Sequence, residues 1–248
     1  MAKGAGKVEQ NRRARMRDFA DASLHIVATE GLAALTMSRL AEELGTVPSA
    51  VYRYFPSKGA LITAVQCDAI ERLTASYELI RNYSEARFAE AGLASDALCV
   101  TRLVMFGRWF CATADTHPEE LRLLQMIMSE RSQGLDPDGG FEVLPVAMVL
   151  LGQAAERLDE AESLGLTTPG ESLERVIVWA AALGGVLETD ALARFLPELL
   201  GDGRLARTTN LDLLRGWGVS DEALAAATAV VDQVASSRPL APTAERAS

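Results

Sequence analysis

The chain has 248 residues, 49% of them hydrophobic and 23% charged, enough apolar material for a sizeable core and an ordinary charge content for a soluble protein. Three widely spaced cysteines (Cys67, Cys99, Cys111) with no CxxC pair argue against a disulfide framework and for buried, reduced thiols. No apolar run is expected to span a bilayer, and the polar, basic start lacks the apolar stretch of a secretory leader. The net charge of −10 is uneven: residues 1–60 carry nine Lys/Arg against six Asp/Glu, and the remainder fifteen against twenty-eight. A basic end of +3 on a body of −13 suggests a small surface that meets a polyanion and a large one that does not.

Helical patterning dominates, and no alternating β-branched run appears. Residues 9–30 form the first predicted helix, with Met16, Phe19, Ala20, Ser23, Ile26 and Val27 at helical spacing, ended by Gly31. Thr36 stands at an N-cap before a short helix that stops at Gly45. A second short helix runs from Pro48 to Tyr54, with proline in its first turn; Pro56 breaks it and Ser57 caps a long helix over 58–82. Further helices are expected over 95–115, 117–131, 141–165, 172–196 and 220–236. "GLDPDGG" reads as a turn, Thr168 to Glu171 as a capping box, and Ser220 as a cap. Residues 1–8 are expected as a flexible basic arm and 237–248 as a disordered tail.

A long helix, a short helix, a tight turn at Gly45 and a second short helix have the form of a helix-turn-helix, whose second short helix enters the DNA major groove. "PSAVYRYF" suits that task. Pro48, Ser49 and Ala50 are small enough to let the backbone approach base edges. Tyr52, Arg53 and Tyr54 follow with two hydroxyls and a guanidinium, and Lys58 adds its charge to the positive end of the next helix. Arg53 is the candidate sequence reader, since arginine pairs bidentately with guanine. Phe55 is expected in the core; packing against the first helix is the alternative role for Tyr52.

At these residues the sequence resembles the tetracycline-repressor (TetR) family of transcriptional regulators. The pattern is Gly31, Thr36, Leu40-Ala41, Gly45, Val51-Tyr52, Tyr54-Phe55, Ser57-Lys58 and Leu61, without gaps, and the likeness covers roughly residues 10–65. Two positions depart from the family: Val47 replaces the usual small polar cap, and Ser49 stands where glycine is frequent. The resemblance implies an all-α protein. It divides into a three-helix DNA-binding domain over 9–57 and a larger helical domain for ligand binding and dimerisation over 58–236. It also implies phosphate contacts from Tyr52, Tyr54, Lys58 and Thr36; Ser38 and Arg39 join this set, with Arg12 and Arg13 as an arm along the groove or backbone. The implied partners are double-stranded palindromic operator DNA, a second copy of the chain and an unidentified small, largely apolar effector. The cysteine pattern and the lack of a leader give a cytoplasmic location as the expectation.

In the body, Met105, Phe106, Trp109, Phe110, Met126 and Trp179 are the candidate pocket residues, against the commoner role of such side chains as core. The acidic balance disfavours a multiply anionic ligand unless local charge reverses it. The helices around 172–196 and 220–236 are candidates for the dimer interface, "WAAALGGVL" offering small residues for close packing there or within the subunit. An enzyme is not expected: His25 and His117 are the only histidines and neither has a ligand-spaced partner, so no metal or cofactor is assigned. A helical protein-interaction module and a ligand-independent regulator are the alternatives. Repressor is the family's usual mode, with activator open.

Overall fold

The computed structural model describes residues 2–129, 137–189, 195–196, 198 and 203–243, with side chains at all of these except 2–11, 13 and 126–141. The described residues contain no strand. The helices in order are α1 (Ala2–Glu30), a 3₁₀ turn (Leu32–Ala34), α2 (Met37–Glu43), α3 (Pro48–Tyr52), α4 (Lys58–Ala91), α5 (Ser95–Thr116), α6 (Pro118–Ser129), α7 (Pro137–Ser163), α8 (Ser172–Glu188), α9 (Arg204–Gly216) and α10 (Asp221–Ser237). They fall into two compact units: Met1–Glu71 with Glu119–Val146, and Arg72–Pro118 with Ala147–Ser248.

The first unit is built around Phe19, Ile26 and Val27 of α1, Leu40 of α2, Val51 of α3 and Leu61, Ile62 and Val65 of α4, all buried in one cluster with Phe55 and with Leu123 of α6. Each such side chain contributes about 1.5–3 kcal/mol by leaving water. That burial matters because α2 and α3 have only seven and five residues, too few to persist alone. Their ends are fixed locally. The Thr36 hydroxyl accepts from the Arg39 N–H at 3.1 Å and starts α2. Gly45, at φ 59°, ends it: the Gly45 N–H reaches the Glu42 carbonyl at 3.0 Å and the Thr46 N–H reaches that of Ala41 at 2.8 Å. Pro48 occupies the first turn of α3, and the Ser57 hydroxyl accepts from the Ala60 N–H at 3.0 Å to start α4.

The second unit packs α5 against α8, α9 and α10. An aromatic cluster fills its centre: Tyr77 lies 5.0 Å from Trp109 and 5.1 Å from Phe106, which lies 5.1 Å from Trp179, itself 5.7 Å from Trp217. The fully buried Asn210 of α9 accepts from the Trp179 indole N–H at 2.8 Å and donates to the Val104 carbonyl at 3.4 Å. Gly107 of α5 makes room for it; a Cβ there would stand 1.8 Å from the Asn210 Oδ1. Arg102 forks onto Glu85 with two 2.7 Å bonds and reaches Glu160 at 3.3 Å, tying α4, α5 and α7 through charge.

Several expectations are corrected. Helix α1 starts at Ala2, not residue 9, so the residues expected as an arm are helical; its run of Ala, Lys, Glu, Gln and Arg favours that state. Helix α4 continues to Ala91, nine residues past its expected end. Helix α7 begins at Pro137, inside the predicted turn, where proline's fixed φ suits a first turn; residues 130–136 lie outside the described residues. The capping box does not form: Glu171 is the N-cap of α8 without a side-chain bond, while the Thr168 N–H and hydroxyl both donate to the Trp217 carbonyl at 2.7 and 3.1 Å. Helix α8 ends at Glu188 rather than 196, and residues 190–194 lie outside the described residues. Helix α9 was not expected at all. The tail packs rather than dangles as far as residue 243, with Leu240 and Ala241 buried and the His117 Nε2 3.3 Å from the Pro242 carbonyl oxygen; residues 244–248 lie outside the described residues. The cysteines are free, but only Cys99 is buried. Helix α5, with mean hydropathy 1.2, is long and apolar enough to cross a membrane, contrary to expectation; 61% of that stretch is buried inside the fold, as in a core helix.

Candidate nucleic-acid interface

Helix α3 turns one residue inward and presents the rest. Val51 is fully buried, while Pro48, Ser49 and Arg53 are exposed and Ala50 half-buried. Tyr52 is 53% exposed, a large ring left in solvent with its hydroxyl available. Tyr54 behaves differently. It is half-buried with its ring 5.0 Å from Phe19, so the packing against the first helix weighed for Tyr52 belongs to Tyr54. Phe55 is core as expected, edge-on to Phe19 at 5.6 Å. Val47 precedes α3 without a side-chain cap, as its hydrocarbon side chain requires.

Lys58 opens α4 in an exposed position, and Thr36 and Ser38 are exposed at the start of α2. No carboxylate among the described residues pairs with Arg53 or Lys58, which leaves both charges for an external anion. Arg39 is engaged: it donates to Glu30 at 2.7, 3.1 and 3.2 Å and pairs with Glu43 at 2.9 Å. The guanidinium holds the Glu30 carboxyl below its ordinary value, and the two carboxylates raise the pKa of Arg39. Arg39 therefore joins the end of α1 to α2 with its charge neutralised, a role that its i,i+4 spacing to Glu43 signals. Arg12 is exposed on α1, while the side chain of Arg13 lies outside the described residues. Arg15 pairs with Asp18 at 3.5 Å and stands 5.3 Å over the Phe19 ring.

Five of the six candidate pocket residues are brought together in the second unit. Met105, Phe106, Trp109, Phe110 and Trp179 are all buried, and the four aromatic ones join the ring cluster of the second unit. They pack as core. Met126 has its side chain outside the described residues. Grooves are found elsewhere: one of about 500 Å³ beside Tyr83, Arg87 and Gln233, and one of about 410 Å³ beside Arg108, Arg204 and Arg207.

A small helical unit with an exposed, hydroxyl-rich and cationic short helix, joined to a larger helical body, is the build of a helix-turn-helix regulator. Residues 20–65 match the model of the tetR family of bacterial regulatory proteins, and the chain carries that family's DNA-binding domain on an all-helical fold of the same kind. Solved structures agree in fold. A TetR transcription regulator from Haloarcula marismortui is 15% identical with a TM-score of 0.57, over 83% of this chain and 98% of its own. The MbdR regulator from Azoarcus sp. CIB is 23% identical with a TM-score of 0.56, over 82% and 98%. SmeT, the repressor of the Stenotrophomonas maltophilia multidrug efflux pump SmeDEF, is 18% identical with a TM-score of 0.53, over 84% and 92%. No curated protein matches the sequence.

Proposed function

We propose that this chain is a cytoplasmic, non-enzymatic transcriptional repressor that binds a palindromic operator as a homodimer and leaves it when a small effector binds. DNA contact is assigned to residues 9–57 with Lys58, and effector binding and pairing to residues 58–236. The observation that carries the reading is the exposure of Ser49 and Tyr52 on a helix seated by buried Val51, with Arg53 exposed at its C-terminus and Lys58 exposed at the start of α4. Tyr52 and Lys58 anchor phosphates, Arg53 reads a base edge, and Thr36 contributes its exposed face while capping α2. One five-residue helix reads too few bases for useful specificity, which two-fold pairing repairs. Leu173, Ile177 and Val178 are exposed on α8 beside Ala181 and Gly185, an apolar stripe suited to a second copy. Helix α4 is continuous from Lys58 to Ala91, and an effector in the second unit acts by moving it. A clean switch needs the effector to prefer the DNA-incompetent state by about 5.5 kcal/mol.

The test is selection of a random duplex library on the purified chain, followed by titration of the enriched duplex at several salt concentrations. The expected result is a palindrome bound with affinity that falls steeply as salt rises. Failure to enrich any sequence, by protein refolded to strip bound small molecules, removes the proposal.

A further inference from the structure

We infer that residues 2–17, the N-terminal half of α1, are a second DNA-binding surface, a cationic helix that lies along the phosphates flanking the operator and reads no bases. The inference rests on the operator-binding reading above and carries the contact out of the three-helix unit. Helix α1 has 29 residues, and Phe19 is its first member of the buried cluster that holds the unit together. Ahead of Phe19, Arg12, Ala14, Met16, Arg17 and Asp18 are exposed and Arg15 is half-buried. The helix thus runs about 24 Å ahead of that cluster, at about 1.5 Å per residue. Phe19 also fixes where it departs. The Phe19 ring lies 5.0 Å from that of Tyr54 and 5.6 Å from that of Phe55, and the Arg15 guanidinium stands 5.3 Å over it. The projecting stretch therefore leaves the unit beside Tyr54, next in sequence to the exposed Arg53 that ends α3.

Charge selects the partner. Residues 2–17 hold Lys3, Lys7, Arg12, Arg13, Arg15 and Arg17 against Glu9 alone, an excess of five positive charges on a chain whose net charge is −10. Positions 3, 7, 10, 13 and 17, all basic except Gln10, follow at steps of three or four, the spacing of one helix face. Like charges at that spacing repel, and a short helix gains little stability by itself. Gly4 and Gly6 weaken it further. A row of phosphates removes the repulsion, and the positive end of the helix dipole adds to the attraction. Asp18 draws off Arg15 at 3.5 Å, but no carboxylate among the described residues pairs with Arg12 or Arg17. The helical state also decides what is touched. An α-helix with its side chains is about 10–12 Å across and the minor groove about 6 Å wide, so this stretch meets the backbone and not the minor-groove edges that a loose arm would enter. Its length matches about seven base pairs at about 3.4 Å each.

Titration of the full chain with the selected duplex, bare and extended at each end by about ten base pairs of unrelated sequence, tests the surface. The parent chain is expected to bind the extended duplex about tenfold more tightly, with a steeper fall as salt rises. Lys3→Gln with Lys7→Gln is expected to remove that gain and to lower the slope of log affinity against log salt on the extended duplex by about 2 for each chain bound. Melting and binding to the bare duplex should stay unchanged. Equal affinity of the parent chain for the two duplexes overturns the inference. So does a gain that survives the double substitution, or one that changes with the flanking sequence. The comparison of duplex lengths on the unaltered chain decides even where the double variant fails to fold. The operator reading stands or falls separately. A palindrome bound equally with and without its flanks removes the surface and keeps the regulator. Where no sequence is enriched the regulator falls, while salt-sensitive binding of unrelated duplexes by the parent chain and not by the double variant keeps the surface.

Discussion

The two units solve the same problem, holding helices together, by different means. The first uses short helices with strong punctuation. Thr36, Gly45, Pro48 and Ser57 fix the ends of α2, α3 and α4, and one cluster of mainly aliphatic side chains with Phe19 and Phe55 does the rest. The second uses long helices, three tryptophans and buried polar contacts centred on Asn210 and Arg102. Local signals therefore specify the first unit. Long-range packing specifies the other.

The sharpest way to break this contrast is Phe55→Ala. Removing a buried aromatic ring should cost the first unit about 3–5 kcal/mol. All three tryptophans, at 109, 179 and 217, lie in the second unit. Tryptophan fluorescence should then melt as in the parent chain while far-UV dichroism shows an early transition and DNA binding is lost. A single early transition by both probes would mean that the units do not hold themselves separately. The converse variant, Gly107→Ala, drives a methyl into Asn210 and should cost about 1–3 kcal/mol, read by tryptophan fluorescence. Thr36→Ala should cost about 1 kcal/mol through the lost cap. Thr36→Asp keeps the cap and should melt normally, yet bind DNA more weakly because its charge faces phosphate. Normal DNA affinity for Thr36→Asp would leave Thr36 a cap alone. Lys58→Gln should leave melting unchanged and reduce the slope of log affinity against log salt by about 1.

The smallest effect concerns the tyrosines. Burial pushes the Tyr77 phenol up, to about 12. Its folded pKa exceeds the unfolded value near 10, so its contribution to stability is complete below that value and is lost as pH rises from 10 towards 12. The ultraviolet difference titration between the parent chain and Tyr77→Phe should place the Tyr77 phenol above pH 10, with loss of second-unit structure as it ionises. A difference centred at the unfolded value would remove Tyr77 from the core.

Legibility in the sequence follows the same division. The starts of α2, α3 and α4 and the turn at Gly45 were readable because each depends on a residue type whose local chemistry allows little else. Helix α9 was not. Its buried stripe is Ala206, Asn210 and Leu214, and an amide at its centre interrupts the apolar period that marks a helix. The aromatic cluster is recognisable as a set from its helical spacing, while the ring contacts that bury it join residues distant in sequence. Tyr52 and Tyr54 were given one role by resemblance. Only the ring of Phe19, distant in sequence, separates them.

Asn210 has one more consequence. Three groups meet at its amide: the Trp179 indole, the Val104 carbonyl and the bare backbone face of Gly107. Because α9 cannot creep along α5 without stranding an indole proton and an amide in a dry interior, small displacements are resisted and only a full change of partners relieves the strain. The second unit should accordingly behave as a latch with clicks rather than as a spring.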